Sequence, residues 1–256
     1  GTGNSGKFLC STIIVLIAGL LIAQIAQEFY GQSMPQLLKS TFGSFSVYAK
    51  VSFYALAGRI VGSAVGGILP DWLGYKTTFL GAEFGRATAI GSIVLLLLGV
   101  PVPGAVVGGL LGGAVLSYIL SKKISTSKVA GFFKVGLVLS LMLAIPLTVI
   151  NLPLATLTAY FTLSILNGFF TGVTLTAERS IPRIYFGPNQ RLLDKYNSVS
   201  QFFLEFAGIG APWVAGMIID ETKSFTLTLA AYPAILLVAV SFFLVFLRLP
   251  KMLAMS

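Results

Sequence analysis

Glu83 and Arg86 stand three residues apart in FLGAEFGRATAIGS (residues 79–92), a stretch otherwise made of apolar and small residues. On a helix that spacing puts both side chains on one face. Opposite charges so placed in an apolar medium neutralise each other, and they can also hold a polar solute. Arg59 lies near the middle of another apolar stretch with no acidic residue beside it. Its expected partner is therefore Glu83, Glu205 or Glu28 across a helix interface. Glu205 is a lone carboxylate in a third stretch, a candidate for exchanging a proton or for pairing with a base. Gln24, Gln27 and Glu28 give the first apolar stretch a polar face, since positions four apart share a helix face.

The chemistry these residues support is narrow. The chain has no histidine, so the commonest general base and metal ligand is missing. Cys10 is the only cysteine, which excludes an internal disulfide and a cysteine-rich metal site. No serine elbow is present, and no paired carboxylates on one helix stand in a plausible site. The sequence therefore predicts no enzyme, no cofactor and no metal. GTGNSGKF at the start matches most of a phosphate-binding loop, but no strand precedes it and Phe8 stands where a magnesium-binding Ser or Thr is needed.

The elements that position these groups follow from the solvent. Of the 256 residues, 56% are hydrophobic and 10% are charged, which points to lipid. Eight stretches are long enough to span a bilayer: 8–29, 46–69, 77–99, 102–121, 129–149, 153–176, 198–219 and 225–247. The first reads as a retained span rather than a cleaved signal peptide. The net charge of +9 reflects membrane topology and not nucleic-acid binding. With the N-terminus inside, eleven basic residues fall on the inner side, three on the outer and three within spans, which predicts both termini cytoplasmic. Lys134, near an inner end, is expected to snorkel. Glycines four apart, Gly58, Gly62 and Gly66 and again Gly104, Gly108 and Gly112, suit close helix packing, either static or sliding. The fold class is thus all-α, a single polytopic transmembrane domain over 1–256 with about eight helices.

Residues 67–76 read GILPDWLGYK. This resembles the signature loop of the major facilitator superfamily, with Gly67, Leu69, Asp71, Gly74 and Lys76 on the matching positions. Trp72 and Tyr75 replace two residues that are usually basic. In that family the loop joins the second and third helices on the cytoplasmic side and acts as a latch. Here Asp71 is expected to cap a helix and bind a neighbouring base, and Gly74 to supply a positive φ.

Two further stretches carry the resemblance. ERSIPRIYFGPNQRLLDKYN (178–197) is similar to the fourth-to-fifth helix connection of exporters in that family, through Arg179, Pro182 or Arg183, Leu193 and Asn197, on a cytoplasmic loop. GIGAPWVAG (208–216) loosely resembles the antiporter signature, through Pro212, Gly216 and Gly208 or Gly210. LSILNGFFTG (163–172) matches the end of the family's fourth helix at Asn167 and Gly168, but Ser164 stands where an arginine linked to proton coupling is often found.

The resemblance covers most of one six-helix half, with 102–149 as an inserted helical hairpin. It implies a transporter, or half of one, moving a small organic or amphiphilic solute by alternating access, with a second half supplied by another copy or another chain. The alternative is a non-transporting scaffold subunit of a larger membrane complex.

Overall fold

In a computed structural model, residues 2–100, 153–186 and 189–247 are described. Among them are seven α-helices and no strand: α1 (Thr2–Phe42), α2 (Phe45–Gly66), α3 (Leu69–Leu73), α4 (Tyr75–Leu97), α5 (Pro153–Phe186), α6 (Gln190–Thr222) and α7 (Phe225–Phe246). Three are long and apolar enough to cross a membrane: α1 over Ser11–Phe42, α4 and α6. The chain is thus a helical membrane protein, with fewer such helices than the eight expected from sequence. Two of the eight, 102–121 and 129–149, and the row Gly104, Gly108 and Gly112, lie outside the described residues, as does Lys134. Helix α7 contributes a shorter apolar run, Phe225–Val240. Lys50, Arg59 and several serines and glycines dilute α2.

The long helices overrun their apolar stretches. Helix α1 has 41 residues and α5 has 34, about 60 and 50 Å at 1.5 Å per residue, against a hydrocarbon thickness of about 30 Å. The helices continue because the flanks hold good helix formers such as Ala177, Glu178 and Arg179. The ends are set locally. Gly43 and Gly74 take φ of +70° and +80°, and the side chains of Ser44, Asn189 and Ser224 accept hydrogen bonds from the first turns of α2, α6 and α7.

Contacts fix the directions. Helix α2 runs parallel to α5, with Gly58 against Ile165 and Gly62 against Phe169. Helix α1 runs antiparallel to α7, with Gly19 against Phe243 and the Tyr30 and Tyr232 rings 5.5 Å apart. Helix α4 is antiparallel to α7, with Phe79 on Phe243 at 4.9 Å and Gly91 facing Pro233. Helix α6 runs alongside α1, with Leu16, Leu20, Leu193 and Tyr196 in one apolar cluster and Phe29, Ala211 and Ala215 in another.

The main helix pairs are α2 with α5, α1 with α7, α4 with α5, α4 with α7 and α1 with α6, followed by α1 with α2, α5 with α6 and α6 with α7. Exchanging α1 with α5, α2 with α6 and α4 with α7 leaves this pattern unchanged but for the α6–α7 pair. The exchanged helices run in opposite directions. Among the described long helices, α1, α2 and α4 thus share the contact pattern of α5, α6 and α7 with the directions reversed.

Small residues build the two matching seams. A Cβ on Gly58, Gly62 or Gly66 would fall 2.1, 1.9 or 2.9 Å from α5 backbone atoms. In return, Gly168 and Gly172 would meet the carbonyl oxygens of Ala55 and Arg59 at 1.9 and 2.2 Å. The α2–α5 seam is therefore backbone against backbone. On α6 the corresponding row is Ala207, Ala211 and Ala215, all buried. The glycines of GIGAPWVAG do not take part: Gly208, Gly210 and Gly216 have open space where a Cβ would go. Gly208→Ala and Gly216→Ala are therefore expected to leave thermal stability unchanged or to raise it by about 0.5–1 kcal/mol each through helix propensity, while Gly62→Ala lowers it. Melting curves of the three variants in one detergent check this.

Candidate functional site

Helix α4 runs through the centre of the bundle, and nearly every residue from Thr78 to Leu96 is buried. Small residues allow it: a side chain on Gly85 would strike the Phe170 ring at 2.6 Å. This burial places Glu83 and Arg86 out of reach of water, with side chains 1% and 7% exposed.

Arg86 is the hub. Its Nη1 donates to Glu83 Oε1 at 2.9 Å and to Oε2 at 3.1 Å. Its Nη2 donates to Gln27 Oε1 at 2.6 Å, tying α4 to α1. The guanidinium carbon lies 5.9 Å from the centre of the Tyr232 ring on α7. The Glu83–Arg86 contact is an ion pair within one helix. The sequence-expected Glu83–Arg86 face thus exists, and Gln27 joins it. Gln27 turns inward, away from Gln24 and Glu28, which pair with each other, Gln24 Nε2 donating to Glu28 Oε1 at 2.8 Å. That pair continues along α1 into Gln32 and Gln36, both exposed.

Arg86 Nε is buried with no hydrogen-bond partner, and so are Thr174 Oγ1 on α5, Tyr232 Oη on α7 and, at the start of α6, Tyr196 Oη. Asn167 Oδ1 on α5 is in the same condition. Asn167, Thr171, Thr174 and Glu178 recur on α5 at intervals of four, three and four, which places them on one stripe. Glu178 is half-buried and lies past residue 176, close enough to Glu83 and Arg86 to feel both charges. Glu178 falls in a polar run beyond the apolar stretch, where composition does not mark it. The periodic stripe was the signal that could have found it.

Other expected sites stand apart. Arg59 is exposed on α2, and none of Glu83, Glu205 and Glu28 pairs with it among the described residues. The physical reason is angular: Gly58 and Gly62 face α5, and Arg59, one residue on, points about 100° away. Glu205 is also exposed and accepts from Gln201 Nε2 at 2.6 Å, so it belongs to no network. Gln24, Glu28, Arg59 and Arg86 therefore do not form one surface.

In the signature-like loop, Gly74 has φ +80°, but Asp71 caps neither α3 nor α4 and is exposed. Its place in the middle of the five-residue α3 keeps its carboxylate from the first N–H groups of α4. The observed tie is made by Lys76, whose Nζ donates to the Leu247 carbonyl oxygen at 2.5 Å. Gly67 closes α2, its N–H donating to Ala64 O at 3.3 Å. Trp72, in a basic position of the family pattern, is 79% exposed, as suits an aromatic anchor at a membrane interface. Ser164 is buried and donates to the Tyr160 carbonyl oxygen at 2.6 Å.

Arg179 and Arg183 were expected on a loop with Asn197. All three instead lie exposed on helices, because α5 runs on to Phe186 and α6 begins at Gln190. Arg183 sits in the last turn of α5, where a cation complements the helix dipole.

No group of three or more potential metal ligands occurs among the described residues. No protein-family model, no curated protein and no solved structure matches this chain.

Proposed function

We propose that this chain is one half of a membrane transporter resembling the major facilitator superfamily, moving a small organic or amphiphilic solute by alternating access against a second half. The observation that carries the reading is the helix arrangement, α1, α2 and α4 matched by α5, α6 and α7 with the directions reversed, which is how many secondary transporters are built. The chain would be multi-pass, with both termini cytoplasmic. The start of α1 and the end of α7 lie at the same end of the bundle, since Gly19 packs on Phe243.

Arg59 supports the need for a second half. It lies seven residues from the end of α2 at Gly66, roughly 10 Å along the axis. Side chains on a helix lean towards its N-terminus, so Arg59 leans away from that near end and towards the membrane interior. A guanidinium there requires a polar cover, either water in a cavity or groups from a partner. The polar row of α1 from Gln24 to Gln36 has the same requirement.

One observation favours a scaffold subunit instead. The strongest polar cluster, around Arg86, is sealed inside this bundle rather than open to a cavity. The mass of the particle purified in mild detergent, with every chain identified, separates the two readings. A dimer of this chain, or this chain with one similar half, supports the transporter. Stable capture among unrelated subunits supports the scaffold and overturns the transporter reading.

A further inference from the structure

We infer that the second half is a second copy of this chain, seated by two reciprocal pairs of Arg59 on one copy with Glu205 on the other. The inference rests on the reading of the chain as one half of a two-half membrane protein.

Two opposite charges stand on the outside of the bundle. Arg59 on α2 and Glu205 on α6 are both exposed, and neither belongs to an ion pair among the described residues. Glu205 accepts from the neutral Gln201 amide at 2.6 Å. Their exposed neighbours are largely apolar, such as Ile60 on α2 and Ile209 on α6, which are 65% and 76% exposed. Such side chains suit lipid. A charge does not, and one held in the membrane pairs with another or meets a water-filled cavity.

The two charges stand at one depth. The Arg59 carbonyl oxygen lies 2.2 Å from where a Cβ on Gly172 would be, so Arg59 is level with Gly172 on α5. Helix α5 ends at Phe186 and α6 begins at Gln190. The Phe186 and Tyr196 rings are 5.6 Å apart, so α6 returns along α5. Gly172 lies 14 residues before Phe186, and Glu205 lies 15 residues after Gln190. The depths therefore agree to within about one turn, roughly 5 Å. The two side chains lean in opposite directions, each towards its own helix N-terminus, an offset that the flexible arginine stem can cover.

The two charges also share a face. Helices α2 and α6 each pack on both α1 and α5, while α4 and α7 pack on each other and link α5 to α1. Helices α2 and α6 thus flank the side away from α4, and they make no main contact with each other. A two-fold axis along the bundle sets α2 of one copy beside α6 of the other, twice. Such an interface is self-complementary. Each Arg59 then meets a Glu205, and no like charges meet.

The test uses the full-length protein in mild detergent, with two differently tagged forms expressed together and the particle mass measured. Wild type is expected to form a dimer. Arg59→Glu alone creates two Glu–Glu contacts and Glu205→Arg alone two Arg–Arg contacts. Each is expected to raise the dimer dissociation constant more than about a hundredfold, with a melting curve that still shows folded protein. Expressed together, the two single variants are expected to pair with each other, since both seats of the mixed dimer then hold opposite charges. An ion pair within one chain would not give that rescue. The double variant Arg59→Glu/Glu205→Arg should pair with itself and reject wild type. The neutral variants Arg59→Gln and Glu205→Gln should each weaken the dimer, so the test does not depend on the reversed charges folding. A monomeric wild type overturns the inference, as do neutral variants that dimerise like wild type, or folded single variants that fail to pair when mixed. Wild type recovered with one similar but different chain overturns the second copy and leaves the half-transporter reading standing. Capture among unrelated subunits overturns both.

Discussion

Arg86→Met is expected to lower the stability of the bundle by about 3–5 kcal/mol, the usual cost of removing one partner from a buried ion pair. The change leaves Glu83 with neither of its two hydrogen bonds and Gln27 Oε1 with no donor. Glu83→Gln alone is costly for the mirror reason, since the guanidinium keeps its charge and loses its anion. The double variant Glu83→Gln/Arg86→Met is expected to recover most of either loss, because apolar or neutral groups of similar volume replace a buried pair with little net penalty. Unfolding of the four proteins in detergent, arranged as a double-mutant cycle, gives the coupling directly. Additive losses, with no recovery in the double variant, would show that the two side chains act independently.

Gly62→Leu carries the second large effect. A Cβ alone at this position lies 1.9 Å from the Phe169 carbonyl oxygen, and no rotamer relieves a clash with backbone. Helices α2 and α5 must part along the seam that Gly58, Gly62, Gly66, Gly168 and Gly172 share. Gly62→Ala is expected to cost about 1–3 kcal/mol, the range of overpacked sites, and Gly62→Leu to prevent recovery of folded protein. Gly168→Leu should match it, since that Cβ meets Ala55 O at the same distance. Neutral behaviour of both leucine variants in size-exclusion and melting assays would sink the backbone-to-backbone seam.

Much of this was legible in the residues, and the failures share a cause. The Glu83–Arg86 pair could be read because both members lie on one helix, where spacing fixes geometry. The close-packing glycines of α2 could be read for the same reason. Gln27 as a third member could not, because it depends on the rotation of α1 about its own axis, and Gln24, Gln27 and Glu28 read alike in sequence. Asp71 was misplaced because a motif supplies residue types and not the short α3 that turns the side chain outward. The antiporter-like stretch near Pro212 names glycines, yet Ala211 and Ala215 are the residues that pack with Phe29 of α1. Glu178 escaped because its burial is produced by helices far away in the chain.

The way the two three-helix units interlock bears on how the protein is made. The closest helix pairs, α2 with α5, α4 with α5, α1 with α7, α4 with α7 and α1 with α6, all join the first unit to the second. Within the first unit α1 and α2 make the main contact among the long helices, and Gln27 ties α1 to Arg86 on α4. When the ribosome has delivered α1 to α4, the glycine face of α2 therefore has nothing to close against, and the Arg86 face of α4 has only Gln27 of α1. Helix α5 covers the first of these. Tyr232 reaches Arg86 only when α7, the last described helix, is in place. The nascent chain must keep a charged, partly unpacked helix in the bilayer until α7 has been delivered. Truncations that remove α7 should then be cleared by quality-control proteases instead of accumulating as partial bundles.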